Sequence, residues 1–285
     1  MPNKINWYPG HMARTRRLLQ EQLRAVDAVI ELCDARAPMA TRNLDLAKLT
    51  QGKTRILVLN KADLADDRET ARWAERFRRD GFTVMRFNSN GGKVKEILAK
   101  IDEASKPALE RYAARGVRKT IRFMVTGIPN VGKSTFINRL HGSAIVKASD
   151  RPGVTRSNQW VKLGPYLEIL DTPGMLPPRL DDQEEAKLLA YLGSIRDQIM
   201  DTEELAGGLL ALLYRLNPGA AAARFKLNLP EGAEPEPHAL MEAACRGRGW
   251  LLSGGRLDTD RASALVLDEF RAGKVGKITI EPCEG

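Results

Sequence analysis

The chain has 285 residues and a net charge of +9, from 45 Lys and Arg against 36 Asp and Glu. Hydrophobic residues make up 43% and charged residues 28%, an ordinary globular composition that excludes a disordered or fibrous protein. No apolar run approaches the roughly 20 residues of a membrane span, and three scattered cysteines give no disulfide framework. The N-terminal residues also lack the apolar segment of a signal peptide, so we expect a cytoplasmic protein without a membrane partner.

The positive charge is concentrated in the first part of the chain. Residues 1–180 contain 33 Lys and Arg and 18 Asp and Glu, a net +15, whereas residues 181–285 carry a net −6. Basic clusters lie in residues 1–24 and 111–122. Such a distribution favours a polyanionic partner, and a solvated charged face is the alternative interpretation.

Short apolar runs alternate with helix-like segments along the first 178 residues. This alternation predicts an α/β fold around a mainly parallel sheet, with the last two strands forming a hairpin at Gly164-Pro165. After Pro178 the pattern becomes mostly helical, so we expect domains at 1–178 and 179–285. The predicted strands are Ala28–Leu32, Ile56–Leu59, Phe82–Phe87, Ile121–Val125, Trp160–Leu163 and Tyr166–Leu170, and the predicted helices between them are Arg14–Arg24, Asn43–Leu49, Asp67–Asp80, Val94–Arg115 and Lys133–Leu140.

The first motif along the chain is Asn60-Lys61-Ala62-Asp63, directly after the predicted strand Ile56–Leu59. A carboxylate accepts hydrogen bonds from both N1–H and the exocyclic amine of guanine, a donor pair that adenine lacks. Asp63 is therefore predicted to select guanine, with Asn60 and Lys61 in the same binding loop. Ser89, after the predicted strand Phe82–Phe87, is predicted to support the base through its loop amides.

The strongest motif is Gly127-Ile128-Pro129-Asn130-Val131-Gly132-Lys133-Ser134, which matches GxxxxGK[ST] between a predicted strand and a predicted helix. Backbone amides of such a loop and of the following helix N-terminus cradle phosphates. Lys133 is predicted to reach the β- and γ-phosphates, and Ser134 to ligate Mg²⁺. The predicted phosphate-binding residues are Asn130, Val131, Gly132, Lys133, Ser134 and Thr135.

Two further segments complete the predicted phosphate and metal site. In Asp171-Thr172-Pro173-Gly174, Asp171 is predicted to organise Mg²⁺ and the Gly174 amide to sense the γ-phosphate. Thr155, between the two phosphate motifs, is predicted to give Mg²⁺ a second hydroxyl when a triphosphate is bound, and ordinary polar surface is the alternative. Because Asp171–Gly174 runs almost directly into the helical region, we expect its switching to move that region, unless the prolines only stiffen the join.

The motif set resembles a TRAFAC-type GTPase in a rearranged order, since Asn60–Asp63 precedes Gly127–Ser134 and Asp171–Gly174. This order is typical of circularly permuted GTPases. Within that group the chain resembles the YlqF/RbgA family of ribosome assembly GTPases. The resemblance implies an α/β P-loop GTPase domain with permuted motif order and a small all-α C-terminal RNA-binding domain. The segments that carry it are Asn6–Met12, Asp34–Pro38 and Arg261–Glu281.

Catalysis of hydrolysis is predicted to need more than Lys133. Ras-like GTPases orient the attacking water with a Gln just after DxxG, and this chain has Met175 there, so slow intrinsic turnover is expected. The resemblance implies a role for His11, although a lone His near a terminus is alternatively a surface residue. Asn130 is a second candidate, because in related GTPases an Asn at this position helps to hold K⁺. Its alternative role is that of a loop spacer.

We therefore expect GTP/GDP and Mg²⁺ as cofactors, with K⁺ as a further candidate ion, and the large ribosomal subunit with its rRNA, rather than DNA, as partner. The predicted function is GTP hydrolysis, stimulated by the particle, at a late step of large-subunit assembly. One alternative is an RNA-binding GTP/GDP switch with little turnover. Another is a P-loop ATPase acting on nucleic acid, which Asp63 disfavours. The segment Asp258–Arg271 is predicted to form an amphipathic helix, with Asp258 as its N-cap, Gly273 as its stop, and Ala262, Leu265, Val266 and Phe270 on one apolar face. Basic residues on the opposite face and in the following loop are candidates for phosphate contact, namely Arg261, Arg271, Lys274 and Lys277.

Overall fold

The computed structural model describes residues 19–50, 52–88, 91, 94–142, 159–164, 167–172, 182–195, 201–230, 232 and 234–284. Four of the sequence-predicted site residues lie outside these ranges, namely His11, Ser89, Thr155 and Gly174. For Asp171 the backbone is described and the side chain is not.

Six strands form one sheet in the order β3-β2-β1-β4-β6-β5. All neighbouring strands are parallel except β5 and β6, which pair in the antiparallel sense of the predicted hairpin. The prediction of an α/β fold around a mainly parallel sheet is therefore confirmed. The strands are β1 (Ala28–Asp34), β2 (Thr54–Asn60), β3 (Thr83–Arg86), β4 (Ile121–Thr126), β5 (Gln159–Gly164) and β6 (Leu167–Asp171).

Helices follow from the capping and apolar pattern of the segments between the strands. The Asp66 carboxylate, for example, accepts hydrogen bonds from the amides of Arg68 and Glu69 and so caps the second helix, which buries Trp73 and Phe77 against the sheet region. In this part of the chain the helices are α1 (Leu44–Leu49), α2 (Asp67–Arg79), α3 (Val94–Ala113) and α4 (Lys133–His141), and residues 19–24 are also helical.

The described residues from 182 onward are mostly helical. The predicted amphipathic helix near the C-terminus is present: Asp258 caps it by accepting from the Arg261 amide, and Ala262, Val266 and Phe270 are buried along one face. The helices of this region are α5 (Gln183–Tyr191), α6 (Thr202–Leu216), α7 (Pro218–Phe225), α8 (Pro237–Arg248) and α9 (Thr259–Arg271).

Residues 273–284, which we call the C-terminal strap, follow α9 and return to the sheet region. The Ile278 amide donates to the Leu64 carbonyl at 3.0 Å, and the Ile280 amide donates to the Arg36 carbonyl at 2.8 Å. One continuous cluster of buried apolar side chains includes strand residues such as Ile30, helical residues such as Leu209 and the strap residue Ile280. The helical region and the sheet region therefore share a core.

Candidate nucleotide-binding site

The phosphate loop, residues 127–134, connects β4 to α4 through backbone conformations that few residues adopt. Gly127, Asn130 and Gly132 have positive φ values of 152°, 63° and 93°. A Cβ atom at Gly127 would lie only 2.6 Å from the Leu32 carbonyl oxygen on β1. Glycine is required at this position because any side chain would collide with the neighbouring strand.

Lys133 lies inside this loop, at the first position of α4. Lys133 is only 8% exposed, and its Nζ donates to the carbonyls of Gly127 and Ile128 at 3.0 and 2.9 Å. Ser134 and Thr135 follow, half-buried, in the first turn of α4. An ammonium group, two hydroxyls and the amides of a helix N-terminus thus meet at one end of the sheet, an arrangement suited to a polyphosphate.

The Asp171 backbone lies beside the phosphate loop because β6 pairs with β4, with Asp171 opposite Val125. Thr172 holds this position: its buried hydroxyl donates to the Val125 carbonyl at 2.7 Å. Thr172 was not predicted as a site residue, because its bond reaches a residue 47 positions away and therefore has no local sequence pattern. Oxygen atoms are the ligands that Mg²⁺ prefers, and the Ser134 hydroxyl in the first turn of α4 is one such group at this end of the sheet.

The NKAD loop, residues 60–66, lies against the phosphate loop although about 70 residues separate them in the chain. The buried Asn60 side chain donates from Nδ2 to the Val131 carbonyl at 2.8 Å, and Lys61 Nζ donates to the Asn130 carbonyl at 2.7 Å. Asp63 is half-buried beyond this junction. The structure therefore brings the predicted base-binding and phosphate-binding motifs together at one edge of the sheet, as expected for parallel strands.

The end of β3 also contacts the NKAD loop. The Ala62 amide donates to the Phe87 carbonyl at 3.2 Å, and the Phe87 amide donates to the Leu59 carbonyl at 2.9 Å. These bonds hold residue 87 next to the predicted base-binding loop. Ser89, two residues further on, lies outside the described residues.

Behind the NKAD loop is a buried ion-pair network in which Asp34 is the shared acid. The Asp34 carboxylate accepts a bidentate pair of hydrogen bonds from Arg36 at 2.9 and 2.8 Å and lies 3.0 Å from Lys61 Nζ. Burial alone would raise the pKa of Asp34, but the charges of Arg36 and Lys61 hold this pKa well below its ordinary value. Burial also lowers the pKa of Lys61, against the opposing effect of Asp34.

Arg36 extends that network to the helical region. Its Nη1 donates to the carbonyls of Phe270 and Arg271 at 3.2 and 3.3 Å, and its guanidinium lies 5.1 Å from the centroid of the Phe270 ring. In the sequence, Asp34 and Arg36 stand out only as part of the segment Asp34–Pro38 that carries the family resemblance. A buried arginine bonded to both a carboxylate and a helix C-terminus has no local sequence pattern by which it could be found.

A second contact joins the phosphate loop to the helical region. Asn130 Nδ2 donates to the Gly193 carbonyl at 2.6 Å. Nearby, Arg271 donates to the carbonyls of Tyr191 and Ala190 at 3.1 and 2.7 Å. The expectation that Arg271 offers a phosphate contact to a partner is therefore wrong, because its guanidinium binds carbonyls within the chain.

A basic face lies away from this site, at the C-terminal end of α3 and along β4 and β5. Arg115 and Arg118 are exposed, and the Arg122 guanidinium lies 5.1 Å from the centroid of the Trp160 ring, a residue that is 44% exposed. Lys119 and Arg122 both form ion pairs within the chain, Lys119 with Asp27 and Arg122 with Glu168 at 3.1 Å. An exposed aromatic ring beside arginines is a surface typical of single-stranded nucleic-acid binding.

Within the described part of the chain, no helix combines the length and apolar character that a membrane span requires. Comparison with known protein families matches residues 122–207 to a family described as 50S ribosome-binding GTPase.

Curated relatives align over nearly the whole chain. A protein of Bacillus cereus named Ribosome biogenesis GTPase A is 42% identical over 98% of this chain and 94% of its own length. A protein of the same name from Thermotoga maritima is 31% identical over 97% of this chain and 94% of its own length.

Solved structures of YlqF also resemble this chain. A GDP-bound structure superposes with a TM-score of 0.68 at 28% identity, covering 94% of this chain and all of the other. A GNP-bound structure from T. maritima gives a TM-score of 0.64 at 28% identity, covering 94% of this chain and 98% of the other.

Proposed function

The chain belongs to the YlqF/RbgA family of ribosome biogenesis GTPases, and we propose that it binds the precursor of the large ribosomal subunit through rRNA and couples GTP hydrolysis to a late step of its assembly. It is a GTP hydrolase with permuted motif order. The observation that supports the GTPase part of the proposal is the contact of Asn60 and Lys61 with the phosphate loop, which brings the predicted base-binding and phosphate-binding motifs together.

We assign the guanine base to the NKAD loop and the phosphates to the phosphate loop. Asp63 reads guanine, supported by the loop residues around it. The phosphate loop and the first turn of α4 bind the phosphates, and Gly174 senses the γ-phosphate. Mg²⁺, when bound, neutralises charge that develops on the phosphates. The assigned base-binding residues are Asn60, Lys61, Asp63 and Ser89; the phosphate-binding residues are Asn130, Val131, Gly132, Lys133, Ser134, Thr135 and Gly174; and the Mg²⁺ ligands are Ser134, Thr155 and Asp171.

Two groups are proposed to complete hydrolysis in place of the missing Gln. His11 orients or deprotonates the attacking water, and Asn130 helps to hold K⁺. Because Asn130 Nδ2 is committed to the Gly193 carbonyl, its Oδ1 is the atom available for a cation. Lys133 stabilises charge on the transferring phosphoryl group.

The ribosomal partner is supported by charge. Residues 1–180 carry a net +15, and the basic face with Arg115, Arg118 and the Arg122–Trp160 pair suits an RNA backbone and unstacked bases. We further propose that residues 1–178 form the GTPase domain and residues 179–285 the helical RNA-binding domain. Movement of the segment that contains residues 171–174 would then pass to the helical domain on hydrolysis.

The test is GTP turnover in K⁺ buffer with purified large ribosomal subunits, with small subunits as the matched control. We expect stimulation of at least about tenfold by large subunits only, because the particle completes the active site. Replacement of K⁺ by Na⁺ measures the contribution of the cation. Equal, slow turnover under all conditions would instead support the alternative of an RNA-binding switch with little turnover.

A further inference from the structure

The last twelve described residues of the chain contact the base-binding side of the site rather than the phosphate side. The Ile278 amide donates to the Leu64 carbonyl, and the Asp66 amide donates to Thr279 Oγ1 at 3.1 Å. Leu64 and Asp66 are the first and third residues after Asp63. The strap thus fixes the backbone immediately downstream of the residue assigned to read guanine.

The upstream side of Asp63 is fixed by a separate set of contacts. Lys61 is held by Asp34 and by the Asn130 carbonyl, and the Leu64 amide closes a turn on the Lys61 carbonyl at 2.9 Å. Asp63 is therefore in the middle of a short turn with both ends anchored. Removing either anchor would let its carboxylate sample positions that do not match the two donors of guanine.

The strap itself is held to the sheet region by a set of hydrogen bonds, several of them partly buried. The Arg36 carbonyl accepts from the amides of Ile280 and Glu281 at 2.8 and 3.3 Å, and the Glu281 carboxylate accepts from the amides of Met39 and Ala40 at 2.7 and 3.0 Å. The Trp73 indole donates to the Glu281 carbonyl at 2.8 Å. These contacts make the strap part of the rigid surroundings of the NKAD loop.

The start of the strap touches the same loop by packing. Gly273 has a φ of 71°, and a Cβ atom there would lie 2.5 Å from Leu64 Cδ2. Gly249, at the end of α8, has a nearly identical φ of 68° and no atom within 4 Å of its Cβ position. The two glycines therefore separate the cost of a strained backbone from the cost of moving the Leu64 side chain, which packs on the NKAD loop.

From these contacts we propose that the C-terminal strap is a positioning element for guanine recognition: by fixing Leu64 and Asp66 it orients Asp63 and so sets the affinity and residence time of guanine nucleotides. The strap follows α9 directly, so it connects the helical region to the loop that is assigned to bind the base. Because coupling between sites is reciprocal, bound GDP or GTP would also strengthen docking of the strap. The proposal rests on the assignment of guanine recognition to Asp63.

The experiment compares GDP with IDP, which lacks the exocyclic amine that Asp63 is assigned to bind. Dissociation rates and affinities of both nucleotides are measured by fluorescence on the full-length protein and on two pairs of variants. The first pair is Gly273→Ala with Gly249→Ala as its matched control. The second is Thr279→Val, which removes the acceptor for the Asp66 amide, with Thr279→Ser, which restores it.

We expect Thr279→Val to release GDP about five- to tenfold faster, because one hydrogen bond to the NKAD loop is lost, and to reduce the preference for GDP over IDP by a similar factor. Gly273→Ala, which forces the Leu64 side chain to move, should change both quantities in the same direction and by a smaller factor. The controls should stay within about twofold of the wild type. If Gly273→Ala does not fold, the Thr279 pair decides the result alone.

Two outcomes would overturn the proposal in distinguishable ways. If the wild type binds GDP and IDP equally, the assignment of Asp63 fails and the proposal fails with it. If the wild type prefers GDP and the variants keep that preference unchanged, Asp63 reads guanine without help from the strap. An equal loss of affinity for both nucleotides belongs to the second outcome, because it indicates general loosening of the fold.

Discussion

The phosphate loop and the NKAD loop lie side by side at one edge of the sheet, yet they are fixed in different ways. The phosphate loop is shaped by its own backbone, with positive φ at Gly127, Asn130 and Gly132. The NKAD loop is held by distant residues: Asn60 bonds a carbonyl 71 positions away, and Asp66 bonds a hydroxyl 213 positions away. A short motif can therefore specify the first loop, whereas the second depends on the rest of the fold.

The largest effect is expected at the locally encoded loop. Lys133→Ala removes the ammonium group assigned to the β- and γ-phosphates, and it also removes the donor to the Gly127 and Ile128 carbonyls. We expect GTP turnover to fall by about 100- to 1,000-fold, as for loss of one transition-state donor. Lys100→Ala on the exposed face of α3 is the control. Turnover by Lys133→Ala within threefold of the wild type would contradict the assignment.

The close approach of the phosphate loop to β1 can be tested at Gly127. Gly127→Ala places a methyl group 2.6 Å from the Leu32 carbonyl oxygen, so the loop or β1 must shift. We expect the free energy of unfolding, from denaturant titration, to fall by about 2–4 kcal/mol. Gly116→Ala, also at positive φ but with open space around its Cβ position, should cost only about 1–2 kcal/mol. Equal costs for the two variants would show that the contact with β1 is unimportant.

The link between the two loops is tested by Asn60→Ala. This change leaves the Val131 carbonyl without its side-chain donor, so that the Lys61 bond to the Asn130 carbonyl remains between the NKAD loop and the phosphate loop. We expect GDP affinity to fall about tenfold, the cost of one buried unsatisfied acceptor. Asn228→Ala, at an exposed position in the helical region, should leave the affinity unchanged. Wild-type affinity in Asn60→Ala would mean that the loops are held independently.

The smallest expected effect is a pH dependence that arises in the C-terminal strap, which contacts the NKAD loop. Burial raises the pKa of Glu281 in the strap to about 7, and Glu185 adds to the rise, while the Met39 and Ala40 amides and Arg76 oppose it. Since the unfolded value is 4.5, the folded protein binds more protons than the unfolded one between pH 4.5 and 7. Stability therefore falls as the pH rises through this window.

The measurement for this prediction is the free energy of unfolding and the GDP dissociation rate between pH 5 and 8. We expect the wild type to lose stability and to release GDP a few-fold faster at the upper end. Glu281→Gln should remove most of that slope, because its side chain does not titrate. The neighbouring Cys33 does not contribute to this slope, because burial raises the pKa of its thiol well above its ordinary value. An unchanged slope in Glu281→Gln would assign the pH dependence to another group.

Local patterns predicted much of the fold. All six predicted strands are present. Buried strands of a mainly parallel sheet are short apolar runs bounded by turn residues, and that pattern is visible in the sequence. The Asp258 cap and the apolar face of α9 could also be predicted, since capping and helical spacing depend only on nearby residues. The adjacency of the NKAD and phosphate loops follows from strand direction once the sheet is assumed.

Long-range contacts could not be predicted from those patterns. Asp34 and Arg36 occupy an ordinary segment of the sequence, and their bonds to Lys61 and to the end of α9 exist only after folding. Arg271 resembled a free basic residue for the same reason, although it binds backbone carbonyls of α5. The roles of His11, Ser89, Thr155 and Gly174 remain predictions from motif and resemblance.

The most direct test of the permuted guanine site is nucleotide selectivity in the wild type and in Asp63→Asn. Competition of GDP, ADP and XDP for the full-length protein reports the base contact without requiring turnover. We expect the wild type to prefer GDP over both competitors by at least about 100-fold, and Asp63→Asn to lose GDP affinity and gain XDP affinity. Equal binding of GDP and ADP by the wild type, or unchanged selectivity in Asp63→Asn, would show that the NKAD loop is not the reader of guanine.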